Sequence, residues 1–191
     1  MKIAVIGNGN IGSGLAAVLA GAGNDVTTYG RGDDMATAVA DAEIVVLATP
    51  YGAAADVAGQ ADFTGKLVID LSNPVNEDFS GLLVGHESSA AEEIAKLMPG
   101  ASVVKAFNTI FAQHYGTGLK IDGLPLQTFV AADDEAARER VKGLAAEIGF
   151  VAVDAGPLKN ARYLEPIGFM NIQFGYVLGQ GVEIAPQWRA A

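Results

Sequence analysis

The chain opens with MKIAVIGNGNIG, residues 1–12, and this stretch decides the fold. Ile3 to Ile6 is an apolar run rich in β-branched residues, which is typical of a buried parallel strand. The run ends at a G-x-G-x-x-G motif, and apolar residues at helical spacing follow from Ile11 to Leu19. A second strand-like run covers Asp25 to Tyr29. Strand, glycine motif, helix and strand in this order indicate a dinucleotide-binding unit.

Each glycine of the motif has a physical role in such a unit. Gly7 allows a tight turn directly after the strand, and Gly9 lets the backbone approach a pyrophosphate without a Cβ in the way. Gly12 lets the first helix pack closely on the strand. The pyrophosphate is expected at the helix N-terminus, where free N–H groups and the helix dipole favour an anion. The alternative is a glycine-rich turn without a ligand, and the flanking strand and helix argue against it.

The residues after the second strand indicate which dinucleotide is bound. An NAD-binding unit usually has an acidic residue about twenty residues beyond the glycines, bonded to the ribose 2′-hydroxyl. Here Gly30 and Arg31 occupy that position. A guanidinium can bind a 2′-phosphate in a bidentate manner, whereas a carboxylate would repel it, so the sequence favours NADP. Asp33 and Asp34 follow, and we expect one of them to cap the next helix.

Composition excludes several classes of function. With 12 basic and 22 acidic residues, the net charge of −10 argues against nucleic-acid or anionic membrane partners. Cysteine is absent, which excludes disulfides and thiolate chemistry and fits a reducing cytoplasm. The first strand starts at the N-terminus, so we expect no signal peptide, and the longest uncharged stretch is too polar to span a bilayer. The sequence therefore predicts a soluble, cytoplasmic protein.

Strand-like and helix-like patterns alternate along the rest of the chain. This alternation predicts the α/β class: a doubly wound, mainly parallel Rossmann sheet over residues 1–155, with helices on both faces. Residues 156–191 are predicted to be a helical extension that does not fold independently and lies across the carboxyl edge of the sheet or in a dimer interface. Glycines within the extension suggest close packing. The predicted strands after the second begin at Glu43 and cover Leu67–Asp70, Ser102–Ala106, Gln127–Ala131 and Phe150–Asp154; the predicted helices are Met35–Val39, Tyr51–Ala61, a capped helix from Ser89 to Leu97, Asp134–Ile148 and, in the extension, Pro157–Gly181 with Gly168, Gly175 and Gly179.

Small polar residues follow three of the predicted strands. They are Thr49-Pro50, Asn73-Pro74 and Asn108-Thr109, and the carboxyl ends of strands are where open α/β sheets bind ligands. Hydroxyl and amide groups suit the orientation of a nicotinamide and its carboxamide, although each pair could also be ordinary turn chemistry.

Conventional acids and bases are scarce in the sequence near these strand ends. His114 and Lys105 are the candidates, while Glu165 is expected to pair with Arg162. Oxidation of a hydroxy acid needs a proton acceptor poised against the substrate. Hydride transfer between two planar heterocycles mainly needs stacking and the exclusion of water. The chain fits the second reaction better, and we expect neither a catalytic acid or base nor a metal site.

Six segments of the sequence resemble one known family. The chain is similar over nearly its whole length to the NADPH-dependent deazaflavin-coenzyme reductases, the coenzyme F-420-dependent NADP oxidoreductase family. The segments are KIAVIGNGNIG at 2–12, Gly30-Arg31, Thr49-Pro50, IDLSNP at 69–74, VKAFNT at 104–109 and GPLKNARYLEP at 156–166.

The resemblance implies a hydride transfer between NADP(H) and a small-molecule acceptor, which is a deazaflavin (coenzyme F-420) or a flavin. It also implies that the tail helix helps to form the acceptor pocket. The residues implied are Gly7, Asn8, Gly9, Asn10, Ile11 and Gly12 for the pyrophosphate; Arg31 for the 2′-phosphate; and Thr49, Pro50, Asn73, Pro74, Asn108 and Thr109 for the hydride-transfer pocket.

Two other functions remain open. One is an NADPH-dependent small-molecule dehydrogenase or imine reductase with His114 or Lys105 as proton donor, which turnover of a carbonyl substrate without flavin would favour. The other is a non-catalytic NADP-binding regulatory module, which would bind cofactor tightly without turnover. We also expect a homodimer whose interface includes the tail, because apolar residues there exceed what one sheet edge would cover. They are Leu164, Ile167, Phe169, Ile172, Tyr176 and Val177.

Overall fold

Strands and helices alternate along this protein, whose structure is a computed structural model that describes residues 1–189. Seven strands form one sheet, and two short ones form a separate hairpin. The predicted strands at Asp25–Tyr29, Leu67–Asp70 and Gln127–Ala131 are found with those bounds, and the other predicted strands lie within a few residues of their expected positions. The strands are β1 (Lys2–Ile6), β2 (Asp25–Tyr29), β3 (Ile44–Leu47), β4 (Leu67–Asp70), β5 (Ser102–Lys105), β6 (Lys120–Ile121), β7 (Leu124–Pro125), β8 (Gln127–Ala131) and β9 (Val151–Gly156).

The helices begin where the sequence provides side-chain caps. Asp34 accepts a hydrogen bond from the Thr37 N–H, and Ser89 accepts one from the Glu92 N–H, so both predicted caps are confirmed. The helix predicted to reach Ala61 is a 3₁₀ turn, Tyr51–Ala53, followed by a helix that ends at Ala58. The helices are α1 (Asn10–Gly21), α2 (Met35–Asp41), α3 (Ala54–Ala58), α4 (Ala90–Leu97), α5 (Gln113–Gly116), α6 (Glu135–Glu147) and α7 (Ala161–Ile172).

The strand order of the main sheet is β2-β1-β3-β4-β5-β8-β9. The first five of these strands are parallel to one another. Strand β8 runs antiparallel to β5, and β9 is parallel to β8. The mainly parallel sheet confirms the predicted class. The strand order reverses at β1, since β2 lies on one side of it and β3 on the other, so the switch point is between β1 and β3. The antiparallel pair was not predicted, because the apolar pattern of a buried strand carries no information on its direction.

Both faces of the sheet are covered, as predicted. Ile3 and Val5 of β1 lie in one apolar cluster with residues of α1 and α6. Ala4 and Ile6 point the opposite way and lie in a second cluster with residues of α2 and α4. Because alternate residues of a strand face opposite sides, these two clusters place helices on both faces of a buried central sheet.

The tail lies across the carboxyl ends of β4 and β5, as the sequence predicts. A 3₁₀ turn, Leu158–Asn160, precedes α7, and a π-helical turn, Gln173–Val177, follows it, so the single helix expected over 157–181 is interrupted. A Cβ on Gly168 would lie 2.6 Å from Asn73 Oδ1, and one on Gly175 would lie 2.7 Å from the Phe111 ring, which confirms close packing at both. The prediction of close packing was wrong for Gly179. No atom of the described residues beyond its chain neighbours lies within 4 Å of a Cβ placed there, and its φ is +71°. Residues 190 and 191 of the predicted extension lie outside the described range.

Candidate functional site

The glycine motif lies at the switch point of the sheet, between the ends of β1 and β3. Gly7 has φ +118°, and a Cβ there would lie 2.4 Å from the Ala48 carbonyl oxygen. A Cβ on Gly12 would lie 1.9 Å from the Gly7 carbonyl oxygen, since α1 starts so close to β1. The fold itself therefore requires Gly7 and Gly12, in the turn and packing roles that the sequence predicts.

Gly9 is different, because nothing in the protein requires a glycine there. Its φ of −73° and ψ of −177° are open to any residue. An added Cβ would meet no atom within 4 Å. Gly9 precedes α1 and offers no side chain to cap it, and the neighbouring Asn8, Asn10 and Ile11 are exposed. The start of α1 is thus an open, uncapped helix N-terminus that suits an anion.

Arg31 is exposed beside this motif. A Cβ on Gly30 would lie 2.6 Å from the Asn8 amide nitrogen, so the glycine loop and the end of β2 are in contact. Asp33 accepts a hydrogen bond from the Gly30 N–H at 2.7 Å, and Asp34 binds the N–H and hydroxyl of Thr37. These bonds to Thr37 lower the pKa of Asp34. Within residues 1–189 the Arg31 guanidinium forms no salt bridge, and both neighbouring carboxylates are held by local bonds.

The polar residues after the next strands form two groups. Thr49 is half-buried and Pro50 is exposed at the end of β3. The structure brings together the amides that follow β4 and β5: Asn73 donates to the Asn108 carbonyl at 2.8 Å, and Asn108 donates to Asn73 Oδ1 at 2.9 Å. The Asn108 amide also donates to the Leu164 carbonyl of α7.

Three of the predicted pocket residues lie in the interior. Pro74, Asn108 and Thr109 are buried, and no hydrogen-bond partner for the Thr109 hydroxyl lies within residues 1–189. Direct contact with a cofactor stays a prediction for each of them. The backbone before Asn108 takes a turn that the sequence did not indicate, because Phe107 has φ +59° and donates its N–H to Thr128 Oγ1.

The two candidate proton donors from the sequence are unavailable. His114 is buried, and its Nε2 lies 3.1 Å from the Ile184 carbonyl oxygen. Lys105 is buried between Asp70 and Glu165. The prediction that Glu165 forms an ion pair with Arg162 was wrong, because Arg162 donates two hydrogen bonds to Glu92 instead. The reason is that Lys105 draws Glu165 inward, towards the sheet.

Tyr51 is a candidate acid that the sequence analysis missed. It is half-buried in the turn directly after Pro50. Burial raises the pKa of its phenol, and nearby Glu93 and Glu165 raise it further, so the phenol stays protonated at neutral pH. Its position next to the predicted Thr49-Pro50 pair was the signal that could have identified it.

Two depressions elsewhere on the surface do not include the glycine motif. The larger, of about 590 Å³, lies between residues 58–64 and 97–99. The smaller is lined by residues of β1, β2 and α2. We place the site at the carboxyl edge because Gly9, Arg31 and the asparagine pair all follow the carboxyl ends of parallel strands, whereas neither depression includes any of these residues.

Comparison with known proteins gives two kinds of sequence similarity. Residues 2–90 match the model of the NAD binding domain of 6-phosphogluconate dehydrogenase. The chain is also 30% identical over 183 residues to the metalloreductase STEAP3 of Rattus norvegicus, a match that covers 87% of this chain and 36% of the relative. The chain thus spans about a third of that relative's length.

Solved structures give the same fold over most of the chain. An F420-dependent NADP-reductase candidate from Arthrobacter sp. FB24 superposes with a TM-score of 0.85 at 25% identity, covering 97% of this chain and 100% of that one. A hypothetical protein from Sinorhizobium meliloti superposes with a TM-score of 0.72 at 28% identity, covering 83% and 86% of the two chains.

Proposed function

We propose that this chain is an NADP-binding oxidoreductase and that it transfers a hydride between the nicotinamide of NADP(H) and a deazaflavin or flavin-type acceptor. One observation gives the main support for the proposed cofactor site. Gly9 is a glycine that neither backbone conformation nor packing demands, at the uncapped start of α1 and at the switch point of the sheet. Close approach of a pyrophosphate explains it.

The proposed cofactor site extends from this point in two directions. The N–H groups at the start of α1 bind the pyrophosphate, and Arg31 at the end of β2 binds the 2′-phosphate. In the other direction, Thr49, Pro50 and Asn73 lie along the ends of β3 and β4, where they orient the nicotinamide ring. Bound NADPH would supply the hydride. The side chains of this pocket bind, orient and exclude water.

The acids and bases near the proposed pocket suit a planar acceptor ring better than a substrate that needs a proton. His114 and Lys105 are held in the interior, and the predicted pocket residues Thr49, Asn73, Asn108 and Thr109 carry only neutral amides and alcohol hydroxyls. Such groups position two stacked rings but do not deliver a proton. The F420-dependent candidate, which superposes on 97% of this chain, supports a deazaflavin as the acceptor. We expect the tail helix α7 to form one wall of the acceptor pocket.

An acceptor panel tests this proposal. Purified protein is mixed anaerobically with NADPH and, separately, with a deazaflavin, FMN, a ferric chelate, and a carbonyl or imine substrate. The proposal predicts fast NADPH oxidation with the deazaflavin or FMN and little with the carbonyl compound. Tight NADPH binding without oxidation by any acceptor would contradict it and would indicate a regulatory module.

A second candidate function rests on Tyr51. A protonated phenol next to the predicted nicotinamide pocket is the kind of group that reduction of a carbonyl or imine requires. NADPH oxidation by such a substrate, lost in Tyr51→Phe, would favour an NADPH-dependent small-molecule reductase over the flavin-type reaction.

We also propose that the protein acts as a homodimer in the cytoplasm, with residues 156–189 inseparable from the sheet. The exposed apolar residues of α7 support the dimer, and the hydrogen bonds that join α7 to Asn108 and Thr109, after β5, support the single folding unit. No helix of the described residues is both long and apolar enough to cross a membrane.

A further inference from the structure

A buried ionic cluster lies beneath the carboxyl ends of β4 and β5. Lys105 Nζ is 2.6 Å from Asp70 Oδ2 and 2.8 Å from Glu165 Oε1. The side chains of Lys105 and Asp70 are 0% exposed, and that of Glu165 is 1% exposed. Burying charges is costly, and replacing such a cluster with apolar residues often stabilises a protein, so stability alone does not account for it.

Two members of the cluster hold the backbone of Ser72. The Ser72 N–H donates to Asp70 Oδ1 at 2.8 Å, and the Ser72 carbonyl accepts from Lys105 Nζ at 2.5 Å. Asn73 follows directly, and its amide is paired with Asn108. The cluster therefore fixes the turn from which Asn73 faces the proposed nicotinamide pocket.

Glu165 ties two helices to this turn. Its carboxylate accepts hydrogen bonds from the N–H groups of Ala90, at 2.8 Å, and Ala91, at 3.1 Å, at the start of α4. One turn further along α7, Gly168 packs directly against the amides of Asn73 and Asn108. The depth at which Glu165 is held thus sets how closely α7 approaches the asparagine pair.

We propose that Glu165 is a positioning residue of the hydride-transfer pocket, acting through Lys105 on the Ser72-Asn73 turn and through α7 on the acceptor wall. The inference rests on the proposed function. It assigns the alignment of the two rings to this buried cluster. Cofactor affinity depends on other residues, because the pyrophosphate and 2′-phosphate contacts lie at β1 and β2.

Glu165→Gln keeps the size of the side chain and leaves no unpaired charge, but its NH2 group replaces an oxygen that accepts from Ala90 or from Lys105 and Ala91, so its folding is checked by melting temperature against wild type. The cluster holds one cation and two carboxylates, so the variant leaves Lys105 paired with Asp70 and no unpaired charge. Burial raises the pKa of Glu165, which agrees with a carboxylate whose charge is held at some cost.

The matched control is Glu92→Gln. Glu92 and Arg162 join the same two helices, α4 and α7, through a more exposed pair that does not touch the cluster. Three quantities are measured for wild type and both variants: the NADPH dissociation constant, the fluorescence of the bound reduced nicotinamide, and the single-turnover rate of hydride transfer at saturating cofactor and acceptor.

We expect the NADPH dissociation constant of Glu165→Gln to stay within about threefold of the wild-type value and the fluorescence of the bound nicotinamide to change. The rate of hydride transfer should fall by about tenfold or more, because small misalignments of the reacting rings slow the reaction strongly. Glu92→Gln should match wild type in all three. A Glu165→Gln variant with wild-type fluorescence and transfer rate would overturn the inference while leaving the proposed function intact. Failure of wild type to bind NADPH would contradict the proposed function and this inference together.

Discussion

We propose that Arg31 makes the protein prefer NADP to NAD. Because it is exposed and its acidic neighbours are bonded locally, we predict that the protein binds NADPH more tightly than NADH. Arg31→Ala should weaken NADPH binding by about 1.5–3 kcal/mol, the loss expected for a charge-assisted contact, and leave NADH binding unchanged. Titration with both cofactors measures this. The control is Arg140→Ala, whose guanidinium pairs with Glu43 before β3. Equal affinities of wild type for the two cofactors would contradict the assignment of NADP as the preferred cofactor.

Gly9 separates a binding loop from an ordinary turn. Its Cβ position is open, so Gly9→Ala should fold with a melting temperature near that of wild type, yet a methyl group should block the pyrophosphate. We predict that the thermal shift induced by NADPH is lost. The control is Gly21→Ala, at the other end of α1, where a Cβ is equally unobstructed. A full ligand-induced shift in Gly9→Ala would show that the loop binds no pyrophosphate.

Local chemistry decided which residues could be predicted from the sequence. The positive φ of Gly7, the contact of Gly12 with the Gly7 carbonyl and the cap at Asp34 involve residues within five positions, and the structure confirms all three. The partners of Glu165 and the left-handed turn at Phe107 depend on residues far away in the chain, and no local pattern indicates them. The contact roles of the predicted pocket residues stay predictions.

Among the secondary-structure elements, the positions of the helices could be predicted from periodicity and caps. The way α7 docks on the rest of the protein could not. Glu92 shows why, since its two bonds to Arg162 join α4 to α7 across a long stretch of chain. Hydrogen bonding to Arg162 lowers the pKa of the Glu92 carboxyl. A lowered folded-state pKa adds stability above the unfolded-state value of 4.5, and this stability is lost as the pH falls through the lower folded-state value.

We therefore predict a pH-dependent stability difference between wild type and Glu92→Gln. At pH 7 the variant should be less stable by about 0.5–1 kcal/mol, as for a partly exposed pair, and the difference should shrink as the pH falls below about 4.5. Urea unfolding across this range measures it. Glu147→Gln, which removes an exposed carboxylate with no ion pair in the described part of the chain, should show no such trend. A constant difference at all pH values would contradict the role of the pair.

In the whole molecule, the tail exposes several large apolar side chains. Of the residues expected in a dimer interface, Leu164 is buried against Phe129, while Tyr176 and Val177 are exposed. Tyr163 and Met170, seven residues apart on one face of α7, are 68% and 43% exposed, and Val177 in the π-helical turn that follows is 60% exposed. We predict a homodimer by light scattering at micromolar concentration, and its dissociation in Met170→Glu. A monomeric wild type would count against this interface.

We propose that hydride passes directly between two stacked rings without an essential protein acid. The most direct measurement is anaerobic stopped-flow transfer from NADPH deuterated at both C4 positions to a deazaflavin, for wild type and Tyr51→Phe, with the label located in the reduced acceptor by mass spectrometry. We predict deuterium in the acceptor, a slower rate than with unlabelled NADPH, and a loss of less than about tenfold in Tyr51→Phe. No label in the acceptor, or a loss of about a thousandfold in Tyr51→Phe with NADPH binding intact, would contradict the account, because general acids typically contribute that much.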